Sequence, residues 1–381
     1  MKGFLKRIFS HFFLKQAFLL VNTIKIKTVD RILFSTYSPA SSEIILFEEK
    51  NPFLELNIDM DNFEPSVRDG FSRWMDPNWK QDQYIVEIRG KTISIEPKSG
   101  WGIIDKSKLV YFSLGFAKAS YVLKPPLKEL FFSNRTKIFI PKIISLRDTG
   151  EENYFHFFND IIAKLLLLRD HQMLDPLATI VVSEKLWSKN YFQDFIKDSW
   201  LSKLNWFVQR GEWVQTNHVI FCKAFTHTAT YLSELADLAK PIDSARSNKR
   251  VFVTRKSTSL RFIENEGEIC SILSQYGFQN IDTSTLSLKD QMALFSDASD
   301  VIAIHGAGIS NIIFRKGHAL RLLEIFHIND YLPFHYIMLA SIFGFNYQAL
   351  RGTQGEKSGT GGFYLNPQKI QEYCRLNFSN T

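Results

Sequence analysis

The chain is poor in sulfur chemistry. Its three cysteines, Cys222, Cys270 and Cys374, are odd in number and far apart. No C-x-x-C pair and no Cys/His metal spacing is present, which sets aside a disulfide scaffold and a cysteine-ligated metal. They read as small buried hydrophobes in a reducing compartment. Long apolar runs are also missing. A membrane-spanning helix needs about 20 apolar residues, and in MKGFLKRIFSHFFLKQAFLLVN the run is broken by Lys15 and Gln16. No small-residue cleavage site follows, so the stretch does not read as a secretory signal. Acidic excess is absent too, since the formal net charge is +7. The Lys and Arg residues are scattered and carry no nucleic-acid signature, so no nucleic-acid partner is expected. An anionic membrane surface or a phosphorylated small molecule suits that charge.

Phenylalanine, by contrast, is abundant, with 34 residues. A Phe-rich core accounts for them more simply than stacking on carbohydrate. On a helix at the N-terminus, Phe4, Leu5, Ile8, Phe9 and Phe12 would share one face, with Lys6, Arg7 and Ser10 mostly opposite. Such a helix either lies in a membrane interface or packs on its own domain. The sequons at Asn134 and Asn377 would matter only in a secreted chain.

Residues 30–145 read as strands and turns, with a hairpin expected in YIVEIRGKTISIEP, turning near Arg89-Gly90. The segment TGEENYFHFFNDIIAKLLLLRD predicts a largely buried helix, and strands and helices then alternate to residue 225. The polar stretch LAKPIDSARSNK is the best linker. Beyond it KRVFVTR, FQNID, DVIAIH, ALRLLEIF and FNYQAL are strands separated by helices, the pattern of a parallel, doubly wound sheet. Asn366 and Pro367 mark the start of the last helix. The class is therefore α/β. The expected divisions are an amphipathic helix over 1–22, an N-terminal domain over 23–237, a linker over 238–249 and a C-terminal domain over 250–381.

HGAG ends one of those strands and opens a helix. There Gly306 and Gly308 would let backbone N–H groups approach phosphate oxygens, where the helix dipole favours an anion. Asn311 could add a donor, and His305 could donate or fix the loop. A plain strand-to-helix turn without ligand has about the same claim on that motif alone. Arg255, Lys256 and Arg261 follow the strand VFVT on the same side of the sheet, where cations could neutralise a diphosphate leaving group. Glu324, near the end of RLLEIF, is placed to accept from ribose hydroxyls, and a buried carboxylate there needs a partner. His156 and Asp160 are four residues apart on a helix and so share a face. An imidazole held by a carboxylate is a competent general base for an alcohol, though such a pair can also merely satisfy itself.

Three further patterns read as decoys. In RGKT, Ile85 stands where a phosphate-binding loop needs its first glycine. DMD at 59–61 mimics a metal-binding DxD ahead of any clear α/β unit. RGTQGEKSGTGG lacks phosphate-loop spacing and is expected to be a mobile loop.

Taken in order, N-Y-F-H-x-x-x-D on a Leu-rich helix, V-F-V-T-R-K, N-E-x-E-I, then LSLKDQMALFSDASDVIAIHGAGISNIIF and LLEIF, the motifs resemble glycosyltransferase family 61 over about residues 84–350. The resemblance implies a GT-B-like fold, two Rossmann-type domains facing across a cleft, here with a β-rich N-terminal segment. It implies inverting transfer from a nucleotide sugar, with no cofactor and no obligatory metal. Family positions map onto Asp160 and His156 for acceptor activation, and onto Asn153, Arg255, Arg261, His305, Gly306, Ala307, Gly308, Asn311 and Glu324 for the donor. Asp160 is preferred as base because a carboxylate can both orient and accept. FFNDIIAK departs from the Trp or Pro of many relatives, and the long anchor of the eukaryotic members is missing. This favours a bacterial cytoplasmic member acting on a polysaccharide or lipid-linked glycan, with peripheral attachment to the inner membrane face as a further expectation. Two other readings remain: a polysaccharide pyruvyl transferase using phosphoenolpyruvate, and a non-catalytic scaffold of a capsule complex.

Overall fold

The Arg89-Gly90 dipeptide does not turn the chain. The computed structural model describes residues 35–378 except 106–107, 116–135, 198, 239–247, 256–260 and 330–331, and within it Gln81–Ile95 is one continuous strand. Its pairing with Trp213–Lys223 steps from Thr216↔Ile93 to His218↔Arg89, so extra residues are looped out around Gly90. Gly90 supplies the left-handed φ of 70° that such a bulge uses. The glycine signal was thus real, but it marks a bulge rather than a hairpin. The helix expected over residues 1–22, Lys256 and most of the linker 238–249 lie outside the described residues.

The described chain is mixed α/β and divides into two units, residues 35–48 with Asp82–Phe225, and Glu49–Gln81 with residues 226–378. In the first unit the strands are β1 (Ser35–Tyr37), β2 (Ile44–Lys50), β3 (Gln81–Ile95), β4 (Gly102–Ile104), β5 (Lys108–Val110), β6 (Lys137–Phe139), β7 (Ile143–Ser145), β8 (Thr179–Ser183), β9 (Asn205–Gln209) and β10 (Trp213–Lys223). They run in the order β1-β5-β4-β3-β10-β7-β8-β9, with β2 on β3 and β6 on β10. The β10-β7-β8-β9 part is parallel, whereas β10-β3-β4-β5 is antiparallel. The sheet is therefore mixed rather than the parallel sheet of a Rossmann-type domain. β3, β4 and β5 are joined by connections too short for a crossover helix, which forces antiparallel pairing. Tyr84, Val86, Ile88, Ile143 and Val181 belong to its core.

The buried helix is present but not uniform. It runs as α-helix at Tyr154–His156, as π-helix at Phe157–Ile162 and as α-helix again at Ala163–Asp170. Phe157, Phe158, Ile161, Ile162, Leu165 and Leu166 are fully buried, as the density of apolar residues predicts.

In the second unit, β11 (Lys249–Val253), β13 (Phe278–Ile281), β14 (Ala298–Ile304), β15 (Arg321–Phe326) and β16 (Asn346–Arg351) form one sheet, ordered β13-β11-β14-β15-β16 and parallel throughout. A small parallel pair, β12 (Phe262–Ile263) with β17 (Gly362–Phe363), stands apart from it. Helices Glu266–Gln275, Leu288–Asp297 and His335–Phe343 separate the strands as expected. The last helix, Pro367–Phe378, starts where Asn366 accepts from the N–H of Gln368. Counted along the chain, the strand order is 2-1-3-4-5, so it reverses between β11 and β14. Open sheets of this kind bind ligands outside the carboxyl ends of the strands at that reversal. Glu49–Gln81 adds helix Pro65–Ser72, and the Trp74 indole donates to Leu332 O. The RGTQGEKSGTGG segment lies against Glu264. Lys357 N–H donates to Glu264, and a Cβ on Gly355 or Gly362 would strike that carboxylate.

Candidate functional site

The carboxyl ends of β14, β15 and β16 lie side by side, and their register decides which side chains meet. Ala303 is opposite Glu324, and Leu322 is opposite Tyr347. Side chains alternate across a strand, so Glu324, Tyr347 and His305, two residues beyond Ala303, share one face. The contacts follow from that register. Glu324 has no exposed surface; one carboxylate oxygen is hydrogen-bonded to His305 Nδ1, and the other accepts from the Tyr347 hydroxyl at 2.7 Å. Both oxygens are therefore held inside the protein, and the partner the carboxylate needed is a histidine. Burial pushes the His305 pKa down; Glu324 opposes this, while Arg261 and Arg255 reinforce it, and the net shift is downward. A neutral imidazole then carries its hydrogen on Nδ1, towards Glu324, which leaves Nε2 as the ring nitrogen for a ligand.

Arg255 leaves the end of β11 and donates from Nη1 to the carbonyl of His305 at 3.1 Å. Gly306, with φ 172 and ψ 168, is extended and unstrained, and its use is space: a Cβ there would lie 2.9 Å from Arg255 Nη1. Arg261 joins the cluster. Its pKa is lowered by burial and then by repulsion from Arg255, with Glu324 and Tyr336 opposing. Burial also lowers that of Arg255, which forms no salt bridge among the described residues. The two guanidiniums are partly buried and repel each other, which lowers the pKa of Arg261. The helix that follows, Ala307–Arg315, is of the 3-10 type, and Ala307 and Gly308 remain partly exposed at its start. Asn311 is bonded to the turn itself. It is fully buried, and its amide donates to Gln291 and to Gly308 O.

The remaining expected residues belong to the first unit. His156 Nδ1 is 2.5 Å from Asp160 Oδ2, and both side chains keep some exposure. Burial, the largest influence, disfavours the imidazolium. The hydrogen bond and charge of Asp160, with the charges of Asp148 and Glu152, together outweigh it, and the pKa of His156 is raised. Asn153 caps the helix by accepting from Phe155 N–H. The intervening π-helix is a form that recurs at functional sites.

Sequence reasoning passed over the support beneath this pair. Lys164, one further helical step along, is buried and donates to Asp148 at 2.8 Å. Arg147 binds Glu151, Gln209 and the carbonyls of Pro97 and Lys98. A lysine amid LLLL was the available signal, because a charge is rarely buried unless paired.

A carboxylate-held imidazole in the first unit and two neighbouring arginines in the second are the side chains this structure offers for chemistry. The family described as Glycosyltransferase 61 matches residues 154–320, a likeness that supports that family and a transferase activity. The matched stretch holds His156, Asp160, Arg255, Arg261 and the HGAG turn; Glu324 and Tyr347 lie beyond it. No curated protein matches the chain. Among the described residues no helix is long and apolar enough to cross a membrane.

Proposed function

We propose that the protein is an inverting, metal-independent glycosyltransferase that moves a sugar from a nucleotide sugar to a hydroxyl of a growing cell-surface polysaccharide, capsule or lipopolysaccharide. In this reading the two units work as the two domains of a GT-B-like enzyme whose first domain departs from the Rossmann type in its mixed sheet, the second holding the donor and the first activating the acceptor. The observation that carries it is Arg255, set by its bond to the His305 carbonyl against the HGAG turn at the strand-order reversal. Arg255, Arg261 and the N–H groups of Gly306, Ala307 and Gly308 would stabilise charge building on the departing nucleoside diphosphate. His156, oriented through Nδ1 by Asp160, would take the acceptor proton on Nε2, so Asp160 becomes the orienter rather than the base. Asn153 and Asn311 would act as a helix cap and a brace of the turn. Glu324 would act on the donor through His305. The work site is the cytoplasm, at the inner face of a bacterial membrane, with a lipid-linked or polymeric glycan as acceptor.

The test is a screen of nucleotide sugars, nucleoside diphosphates and phosphoenolpyruvate by melting temperature, followed by mass spectrometry of the products. Stabilisation by a nucleoside diphosphate and transfer of the matching sugar is the expected result. Stabilisation by phosphoenolpyruvate alone, with a pyruvyl product, would replace this reading with the pyruvyl transferase.

A further inference from the structure

Tyr347, Glu324 and His305 form a closed hydrogen-bonded chain whose outer end is the only ring nitrogen not already committed to the chain, His305 Nε2. Resting on the donor-site reading above, we infer that Tyr347 and Glu324 are positioning residues that prepare His305 to take up one proton when a diphosphate settles at the HGAG turn. The resting protein then presents an acceptor at Nε2, and the loaded protein presents a donor.

The groups that face His305 support this. Glu324 on β15 lies against Nδ1. Tyr347 on β16 reaches it only through Glu324. Arg255, after β11, lies on its carbonyl, and Arg261 adds a second positive charge. Tyr336, from helix His335–Phe343, and Phe326 lie against its ring. Of these charged neighbours, two cations and burial disfavour the imidazolium, and one anion favours it. A diphosphate would neutralise the two cations and add negative charge beside Nε2, so that Glu324 and the diphosphate together face burial alone. The same anion that the arginines attract therefore reverses the balance at the histidine. Glu324 sets the size of that response, and the Tyr347 hydroxyl moderates Glu324 by donating to its second oxygen.

A histidine whose pKa rises on binding makes the complex tighter at low pH, and that gain is lost as pH rises through the bound-state value. The experiment is calorimetry of UDP, GDP, ADP and dTDP binding to the full chain, between about pH 7.5 and 9, where their terminal phosphates (pKa about 6) no longer titrate. Two buffers of different ionisation enthalpy give the protons taken up. Wild type is expected to take up as much as about one proton, with affinity falling by up to about tenfold per pH unit below the bound-state value and levelling off above it. Glu324→Gln should move the uptake to lower pH, and Tyr347→Phe, which frees Glu324 to hold the imidazolium, should move it to higher pH. His305→Gln should bind without uptake. A merely structural role would shift both positioning variants the same way. Binding by wild type without proton uptake, or equal shifts in Glu324→Gln and Tyr347→Phe, would overturn the inference while leaving the anion site intact. Binding of none of the four diphosphates would overturn the site reading and the inference with it.

Discussion

His156 Nδ1 and Asp160 Oδ2 meet at 2.5 Å on the partly exposed face of a helix that is otherwise packed into the core. The pair holds the imidazolium, so His156 stays protonated to higher pH than the ordinary value of 6.5. A base must be neutral to work. The acid limb of the pH–rate profile should therefore lie above that value, with activity present at higher pH and lost below. Asp160→Asn removes the main opponent of burial, so the limb should move to lower pH while turnover falls. His156→Ala should cost about 10²-fold or more, the scale of general-base loss. A transfer assay across pH reads both. An unmoved acid limb in Asp160→Asn would remove His156 from the role.

Lys164 and Asp148 form a buried pair below it, and Asp148 also sits against Gly115. Lys164→Met should lower stability by about 3–5 kcal/mol, because it leaves a buried carboxylate uncompensated. Adding Asp148→Asn should recover part of that loss, since the two positions are coupled. Denaturant midpoints of the two single variants and the double variant give the coupling directly. Equal and additive losses would mean that the pair is not an energetic unit.

The alternation of the second unit was legible because period and punctuation agree there. Each apolar run such as VFV or VIAI ends at a polar or glycine signal, and each becomes a parallel strand. In the first unit local signals misled. Arg89-Gly90 reads as a turn by composition, yet β10 pairs along both sides of it and makes it a bulge. At the site, His156 and Asp160 were visible because a helix brings residues four apart together. The link from His305 through Glu324 to Tyr347 was not, because it depends on the register of three strands separated by whole helices. Glu324 was singled out for its position, but its partner could not be read from spacing. Asn311 reads from sequence as a donor for phosphate, and the structure sets its amide on Gln291 and on Gly308 O.

Two glycines separate function from folding. At Gly306 an added Cβ meets the tip of Arg255, which can move, and the backbone is extended. Gly306→Ala should leave stability nearly unchanged but weaken nucleoside diphosphate binding by about tenfold, the equivalent of about one charged hydrogen bond. At Gly100, φ is 77° and an added Cβ would lie 2.1 Å from Arg147 Cβ. Gly100→Ala should instead lower the melting temperature markedly, because both strain and overlap fall on a buried backbone. Melting curves with and without ligand distinguish the two outcomes. Full affinity in Gly306→Ala would show that Arg255 need not lie against the turn.

Arg255 supplies both charge and shape. Its Nη1 holds the His305 carbonyl, and a planar guanidinium has further donors left for phosphate oxygens. Lysine keeps the charge but loses the fork. Arg255→Lys should therefore weaken diphosphate binding by roughly tenfold or more, and Arg255→Ala should weaken it further while reducing turnover. Salt separates the two contributions, since added ions screen charge more than they disturb a well-formed bidentate contact. Wild-type affinity should decline with ionic strength, and in Arg255→Ala the decline should be shallower because one cation is gone. If Arg255→Lys matched wild type in affinity and in salt dependence, the arginine would be serving as a simple point charge, and the directed contact with the turn would carry no binding energy.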